Sequence, residues 1–189
     1  MMLIIIVIEE RVINMKKIKK NIFLSLLVSL GLALGVLESS MPIPFIVPGA
    51  KLGLSNMVVL LTLVLFGFKE ALIVGILKSL VFTLVTGSVS SLIYSLSGSI
   101  LSCIVMYLVY SYFSKYFSLI GVSIFGAVAH NFAQVAVASV IMNNIKIFSY
   151  LPLLLLISLF TGYFVGVASI FISNNLKKTL LAKYGTNRI

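Results

Sequence analysis

Long apolar runs fill the interval between residues 21 and 176, and charged residues are almost absent from it. A soluble domain usually carries charge on about a quarter of its residues, whereas this chain is 61% apolar and 10% charged. Its few polar side chains would not cover the surface of a globular fold in water, so lipid is the solvent that suits it. The sequence therefore predicts an integral membrane protein with one compact domain.

Six apolar segments are candidates for membrane helices, which need about 17 to 25 residues to cross about 30 Å of hydrocarbon. The segments are Asn21–Leu37, Leu52–Phe68, Ala71–Thr86, Ser91–Phe113, Ser118–Met142 and Tyr150–Ile172. The second and third are short and are separated by Lys69 and Glu70 alone, which predicts a tight helical hairpin. The predicted fold class is an all-α, polytopic membrane protein with six transmembrane helices.

Basic residues predict the orientation of these helices. They cluster before the first segment and after the last, and only Lys51 and Lys146 fall on the opposite side. The positive-inside rule then places both termini in the cytoplasm of a multi-pass cell-membrane protein. The predicted parts are a basic segment at 1–20, a transmembrane domain at 21–175 and a basic tail at 176–189. Met15, which four lysines follow closely, is expected to be a more natural start than Met1.

Several classes of function do not fit this composition. The net charge of +10 is accounted for by topology and by anionic lipid, so no nucleic-acid partner is predicted. The chain has no aspartate and no GxxxxGK[ST] loop, which argues against magnesium-dependent diphosphate chemistry and against ATP hydrolysis. One cysteine, Cys103, and one histidine are too few for a zinc site. We expect no enzymatic activity, no metal and no cofactor.

Lys78 is the strongest candidate for a functional residue. It lies near the middle of the third segment, about two helical turns from either end. A charge at that depth is unfavourable unless it faces a cavity, a partner group or a pathway, and it is too far from the ends to snorkel. Either Lys78 faces a binding cavity, or it forms a buried structural pair with Glu38 or a backbone carbonyl.

The fifth segment carries three polar residues within five positions, namely His130, Asn131 and Gln134. His130 and Gln134 are four positions apart and share one helix face, whereas Asn131 is rotated about 100° from His130. Polar residues in membrane helices commonly form hydrogen bonds between helices. Three of them are more than packing requires, so a binding role and a packing role both stay open.

A second polar group is predicted on the outer side of the membrane. Glu38 ends the first segment, and the proline and glycine of 48–53 predict a turn before the second helix. Free N–H groups at that helix start, with Lys51 and Asn56 nearby, would attract an anion. The alternative is an ordinary loop with Lys51 as an interfacial anchor. The candidate substrate-binding residues are therefore Glu38, Lys51, Asn56, Lys78, His130, Asn131 and Gln134.

Three stretches of sequence resemble the Gx transporter family, whose members are also labelled heptaprenyl diphosphate synthase component I. They are PGAKLGLSN at 48–56, LFGFKEA at 65–71 and GAVAHNFAQ at 126–134. The family is similar to the substrate-binding S components of energy-coupling factor (ECF) transporters, which have six helices and a pocket open to the outside. The resemblance implies a separate coupling membrane subunit and two ATPases. It also implies that the GxxxG pattern of Gly31 and Gly35 docks to that coupling subunit.

The synthase label implies a different partner. Prenyl diphosphate synthases bind diphosphate through aspartate-rich motifs and magnesium, and this chain has no aspartate. At most, the label implies a membrane accessory subunit of a soluble prenyl diphosphate synthase.

Three hypotheses follow from the sequence. The chain is a capture subunit for an anionic or zwitterionic solute, an accessory subunit of a synthase, or an assembly protein without a ligand. In each case the lipid bilayer surrounds it.

Overall fold

The computed structural model describes the backbone of residues 2–40 and 53–184, and the side chains of residues 17–40 and 53–175. Residues 41–52, which include Lys51 and the proline of the predicted turn, lie outside the described residues. The helices are α1 (Met2–Ser40), α2 (Asn56–Phe66), α3 (Phe68–Thr86), α4 (Val89–Tyr112), α5 (Leu119–Ile141), a 3-10 helix (Ile145–Tyr150) and α6 (Leu151–Tyr184). The described part of the chain contains no strand, and the prediction of an all-α fold is confirmed.

Four helical regions are long and apolar enough to cross a membrane. They are Lys17–Ser40, Val89–Tyr112, Leu119–Ile141 and Ile145–Asn175. The other two helices fall short for different reasons. Helix α2 has 11 residues, or about 16 Å at 1.5 Å per residue, and α3 includes Lys69, Glu70 and Lys78. A membrane protein is thus indicated, and six complete spans stay a prediction.

Two glycines set the bounds of the hairpin at α3. Gly67, with a φ of 96°, joins α2 directly to α3, and Gly87, with a φ of 67°, ends α3 in the left-handed region. Side chains with a Cβ rarely adopt such angles, so glycine is the residue that fits both positions. The predicted hairpin between the second and third helices is therefore present, with its turn at Gly67.

Helix α1 runs parallel to α3, because residues along both helices meet in the same order. Lys20 donates a hydrogen bond to Glu70, and farther along a Cβ added at Gly31 would lie 3.4 Å from Cδ of Lys78. A Cβ at Gly35 would lie 3.1 Å from a ring carbon of Phe82. The GxxxG pattern thus packs α1 on α3 within the chain. Docking of a separate subunit through these two glycines stays a prediction.

Helix α2 lies at the centre of the bundle. It packs against each of the other five α-helices, and four successive residues, 58–61, are at most 1% exposed. Burial of consecutive residues means that all sides of the helix are covered, which is the pattern of a core helix and not of an amphipathic one. Its position gives the other helices a common core and places its first residues inside the bundle.

Helices α5 and α6 approach most closely at a second GxxxG pattern, Gly162 and Gly166, which sequence analysis missed. A Cβ at Gly162 would lie 2.7 Å from Cα of Ile124, and one at Gly166 would lie 2.6 Å from Cα of Ile120. Backbone atoms cannot move aside as a side chain can. These two glycines therefore fix the distance between α5 and α6.

Candidate functional site

Lys78 of α3 is 2% exposed, and its ammonium group forms hydrogen bonds with residues at the start of α2. Its Nζ donates to Oγ of Ser55 at 2.9 Å and to Oδ1 of Asn56 at 3.1 Å. Both of these acceptors are neutral oxygens, and both belong to the residues at which α2 begins.

The electrostatics at the start of α2 favour a negatively charged group. Ser55 occupies the N-cap position, but its side chain makes no capping hydrogen bond and accepts from Lys78 instead. The backbone turns there with Asn56 N donating to Gly53 O at 2.9 Å. The positive end of the helix dipole and the lysine therefore act at the same place, and both favour a negative group.

Asn56 adds a hydrogen-bond donor to this place. The residue is 4% exposed, and its Nδ2 has no hydrogen-bond partner among the residues that the structure describes. A buried donor without a partner destabilises a fold by about 1–3 kcal/mol. A ligand acceptor at Nδ2 would remove that penalty.

Glu38 reaches the same region from the end of α1. It is 4% exposed, and its Oε1 accepts a hydrogen bond from the backbone N–H of Gly53. Gly53 is three positions before Asn56, and a Cβ added to it would lie 3.0 Å from Nδ2 of Asn56. The carboxylate and the lysine thus belong to one buried group, connected through residues 53–56.

His130 and Gln134 complete this group from α5. They are 2% and 1% exposed, and Nε2 of Gln134 lies 3.0 Å from Nε2 of His130, in keeping with the shared face that their spacing predicts. The imidazole lies between two glycines. A Cβ at Gly98 would be 2.5 Å from its Nδ1, and one at Gly53 would be 3.4 Å from its Cδ2. Only residues without side chains leave that much room for the ring.

We call this group the Lys78 cluster. Its members come from α1, α3, α5 and the start of α2, and they are Glu38, Gly53, Ser55, Asn56, Lys78, His130 and Gln134. Sequence analysis identified five of them. It missed two members: Ser55, which carries no signal apart from its place before a helix, and Gly53. It also missed Gly98 of α4, outside the cluster, which like Gly53 leaves room for the imidazole of His130.

The structure does not bring Asn131 to the Lys78 cluster. Its Nδ2 donates to Oγ of Ser158 at 2.7 Å and to the carbonyl oxygen of Leu154 at 3.3 Å, both on α6. The rotation of about 100° from His130 points it to the neighbouring helix. Asn131 therefore connects α5 to α6, and its predicted contact with a substrate stays a prediction.

A row of buried serines extends from Lys78 along α4. Oγ of Ser79 lies 2.9 Å from Oγ of Ser95 and 3.4 Å from Oγ of Ser99. Ser91 and Ser102 continue the row, and each is at most 4% exposed. The spacing of four, four and three residues in an apolar helix is a signal that sequence analysis could have used.

An ion pair lies at the other end of α1. Lys20 donates to Oε1 of Glu70, in the first turn of α3. Its hydrogen bond lowers the pKa of the Glu70 carboxyl below its usual value. The side chains are 39% and 23% exposed, so this pair connects α1 to the hairpin near the surface and is separate from the Lys78 cluster.

The Lys78 cluster combines several kinds of polar group. It offers an ammonium group, an amide donor, an imidazole with its amide neighbour, and a carboxylate, all buried. Among the described residues, no three His, Cys, Asp or Glu side chains are grouped so that they could hold a metal ion. The arrangement suits a polar solute bound through hydrogen bonds and charge.

Comparison with known proteins places this chain in a family. Residues 27–172 match the family model described as heptaprenyl diphosphate synthase component I. No curated protein matches the chain, and no solved structure does. Because the match covers more than half of its length, the chain belongs to the heptaprenyl diphosphate synthase component I family. The predicted membership is confirmed, and the similarity to ECF S components stays a prediction.

Proposed function

Taking membership of this family as the premise, we propose that the chain is the substrate-binding membrane subunit of a small-molecule uptake system. The Lys78 cluster is its binding site. The observation that carries the proposal is a buried lysine beside the first turn of a short, central helix. Ionisable residues within membrane segments are rare because a charge there is unfavourable, and they commonly mark substrate or ion pathways.

The depth of the cluster supports this proposal. Lys78 lies near the middle of α3, and His130 lies near the middle of α5. Helix α2 begins beside both of them, so its first turn lies well inside the bundle. Discontinuous helices with their N-terminal ends at mid-depth are a recurring way to bind anionic solutes in transporters.

In this proposal, other subunits supply the energy for transport. The sequence has no P-loop, so ATP would be hydrolysed by separate partner subunits. We propose a coupling membrane subunit and ATPases as these partners, as the resemblance to ECF S components implies.

The proposal is tested by purification from native membranes in mild detergent, followed by native mass spectrometry. We expect a retained small molecule with the wild-type chain and its loss with Lys78→Met. Lys146→Met is the matched control, because Lys146 is exposed and outside the cluster. A folded Lys78→Met protein that retains the same molecule would remove the lysine from the site. Recovery of a membrane subunit and ATPases would support the proposed partners.

A second candidate function comes from the family description, which names a component of heptaprenyl diphosphate synthase. Here the chain would be a non-catalytic membrane accessory subunit. This candidate predicts that a soluble prenyl diphosphate synthase is recovered in the same purification. Addition of the purified chain to that enzyme would then change its activity or the length of its product. An unchanged product would reject the candidate.

We place both termini in the cytoplasm, because basic residues concentrate near them. Single cysteines introduced at two exposed positions test this orientation with a membrane-impermeant maleimide. Lys146→Cys should react in intact cells, and Lys115→Cys should react only after the membrane is opened. The reverse pattern would invert the topology.

A further inference from the structure

We propose that the end of the bundle at which α4 turns into α5 binds the headgroups of anionic phospholipids. Lys69 and Lys115 hold the lipid phosphates, and the rings of Tyr112 and Tyr116 lie at the level of the headgroups. We call this part of the molecule the Lys115 end. Lipid binding there is independent of the Lys78 cluster and goes beyond the proposed function.

Several segments of the chain meet at the Lys115 end. Lys20 of α1 donates a hydrogen bond to Glu70, in the first turn of α3. The ring of Phe68, at the start of α3, lies 4.7 Å from the ring of Tyr107 in the last part of α4. The turn between α4 and α5 therefore lies at the same end of the bundle as the start of α3 and the lysines of α1.

Positive charge predominates at this end. Its described side chains include one carboxylate and five ammonium groups, namely Glu70 and Lys17, Lys19, Lys20, Lys69 and Lys115. The charged residues outside the described side chains do not reverse this balance wherever they lie. Residues 1–16 contain two acids and two bases, 41–52 one base, and 176–189 four bases.

Two of these lysines are available to a ligand. Lys69 and Lys115 are exposed, and neither ammonium group has a hydrogen-bond or ion-pair partner among the described residues. The carboxylate at this end, that of Glu70, is bonded to Lys20. Phosphate oxygens accept strong, charge-assisted hydrogen bonds from ammonium groups, so Lys69 and Lys115 suit a lipid phosphate.

The turn between α4 and α5 carries exposed aromatic rings on both sides of Lys115. Tyr112 is 73% exposed and Tyr116 is 82% exposed. The turn is hydrogen-bonded, because the N–H groups of Tyr116 and Phe117 donate to the carbonyl oxygen of Phe113 at 2.9 Å and 3.0 Å. Tyrosine is enriched where a membrane meets water, since its ring is apolar and its hydroxyl is polar. The two tyrosines therefore hold Lys115 at the depth of lipid phosphates.

A lipid surface suits this end better than a soluble anion does. The five lysines come from three separate elements, which are α1, α3 and the turn after α4. Headgroups that lie in one plane can meet lysines on several elements at once. Each lysine near an anionic surface strengthens binding by about fivefold.

Native mass spectrometry of the purified full chain in mild detergent tests the preference for anionic lipid. The probes are dioleoyl phosphatidylglycerol, which is anionic, and dioleoyl phosphatidylcholine, which has the same acyl chains and no net charge. In about 0.1 M ammonium acetate, we expect the wild type to bind phosphatidylglycerol about tenfold more tightly than phosphatidylcholine. The preference should disappear in about 1 M ammonium acetate, where the Debye length falls to about 3 Å.

Two variants locate the binding surface. Lys69→Gln and Lys115→Gln should each weaken the binding of phosphatidylglycerol by about fivefold and leave that of phosphatidylcholine unchanged. Lys146→Gln is the matched control, because Lys146 is also exposed and lies between α5 and α6, at the opposite end of the bundle. It should bind both lipids like the wild type.

Four results would overturn the inference. One is equal binding of the two lipids by the wild type, and another is a loss in Lys146→Gln as large as in Lys69→Gln and Lys115→Gln. The third is displacement of phosphatidylglycerol by millimolar inorganic phosphate, which would assign the lysines to a soluble anion. The fourth is loss of a co-purified soluble protein from both lysine variants while phosphatidylglycerol binding is unchanged, which would assign this end to a protein partner.

Discussion

The two faces of α5 use polar residues in opposite ways. One face presents His130 and Gln134 to the Lys78 cluster, where helices from several parts of the chain meet. The other face presents Asn131 to α6, where one serine and one carbonyl oxygen receive its amide. Adjacent residues in the sequence thus belong to the Lys78 cluster and to a contact between helices. Residue type alone does not distinguish the two environments. His130 and Gln134 lie where several elements meet, whereas the amide of Asn131 donates to α6.

The largest expected effect is on the α6 face. Gly166→Val places side-chain atoms where a Cβ alone would be 2.6 Å from Cα of Ile120. Because that obstacle is backbone, the helices must separate, and we expect a loss of about 3 kcal/mol or more in stability. Size-exclusion chromatography and the thermal midpoint in detergent measure this loss. Gly75→Ala is the control, since its Cβ would have ordinary contacts at 3.6 Å and 3.7 Å. Equal midpoints for the two variants would contradict the close contact.

Asn131→Ala separates the two faces directly. Loss of the hydrogen bonds to Ser158 and Leu154 should lower stability by about 1 kcal/mol, the usual scale of interhelical hydrogen bonds. Retention of the small molecule should be unchanged. On the same preparation, thermal unfolding measures the stability and native mass spectrometry measures the retention of the small molecule. A variant with normal stability and no retained molecule would place Asn131 in the site after all.

Gly98→Ala affects the other face with a smaller loss of stability. The added Cβ would meet the imidazole of His130 at 2.5 Å, and a ring at the end of a side chain can move. We expect a shifted ring and about tenfold weaker binding of the retained molecule, or about 1.4 kcal/mol. The chain has a single histidine, so ¹⁵N-labelled histidine gives one pair of imidazole signals that report the shift. Unchanged signals would show that Gly98 does not position the ring.

The smallest expected effect is at the ion pair of Lys20 and Glu70, which belongs to neither face. Exposed pairs contribute about 1 kcal/mol or less. The pKa of Glu70 is lowered in the folded protein. Its contribution is therefore present above the unfolded pKa, about 4.3, and is lost as the pH falls through the folded value. Glu70→Gln should lower the midpoint slightly at pH 7 and by less at pH 3, which is below the unfolded pKa. An equal decrease of the midpoint at both pH values would assign the effect of the substitution to packing.

The sequence predicts most of the helices because each lies in an apolar run. The observed bounds of α3, α4 and α5 differ by three residues at most from the predicted ones. The position of Lys78 deep within an apolar segment identifies it as a buried charge. The spacing of four predicts that His130 and Gln134 share a helix face. The start of α2 is less predictable. The predicted apolar segment includes Gly53, but the positive φ of Gly53 keeps that residue outside the helix.

The contacts of the glycines and of Asn131 depend on which helix lies opposite. Gly31 and Gly166 each belong to a GxxxG pattern, yet a Cβ at Gly31 would meet a flexible lysine side chain and one at Gly166 would meet backbone. Asn131 could have faced the cluster if α5 were rotated by one position. Such rotations are fixed by packing across the whole bundle, which one segment of sequence does not encode.

The central place of α2 has a consequence for how the protein is made. The helix emerges early during synthesis, but α4, α5 and α6, which cover part of its surface, emerge later. At 11 residues it is too short to be held stably by lipid alone. Burial of α2 on all sides therefore cannot be complete until α4, α5 and α6 have been made.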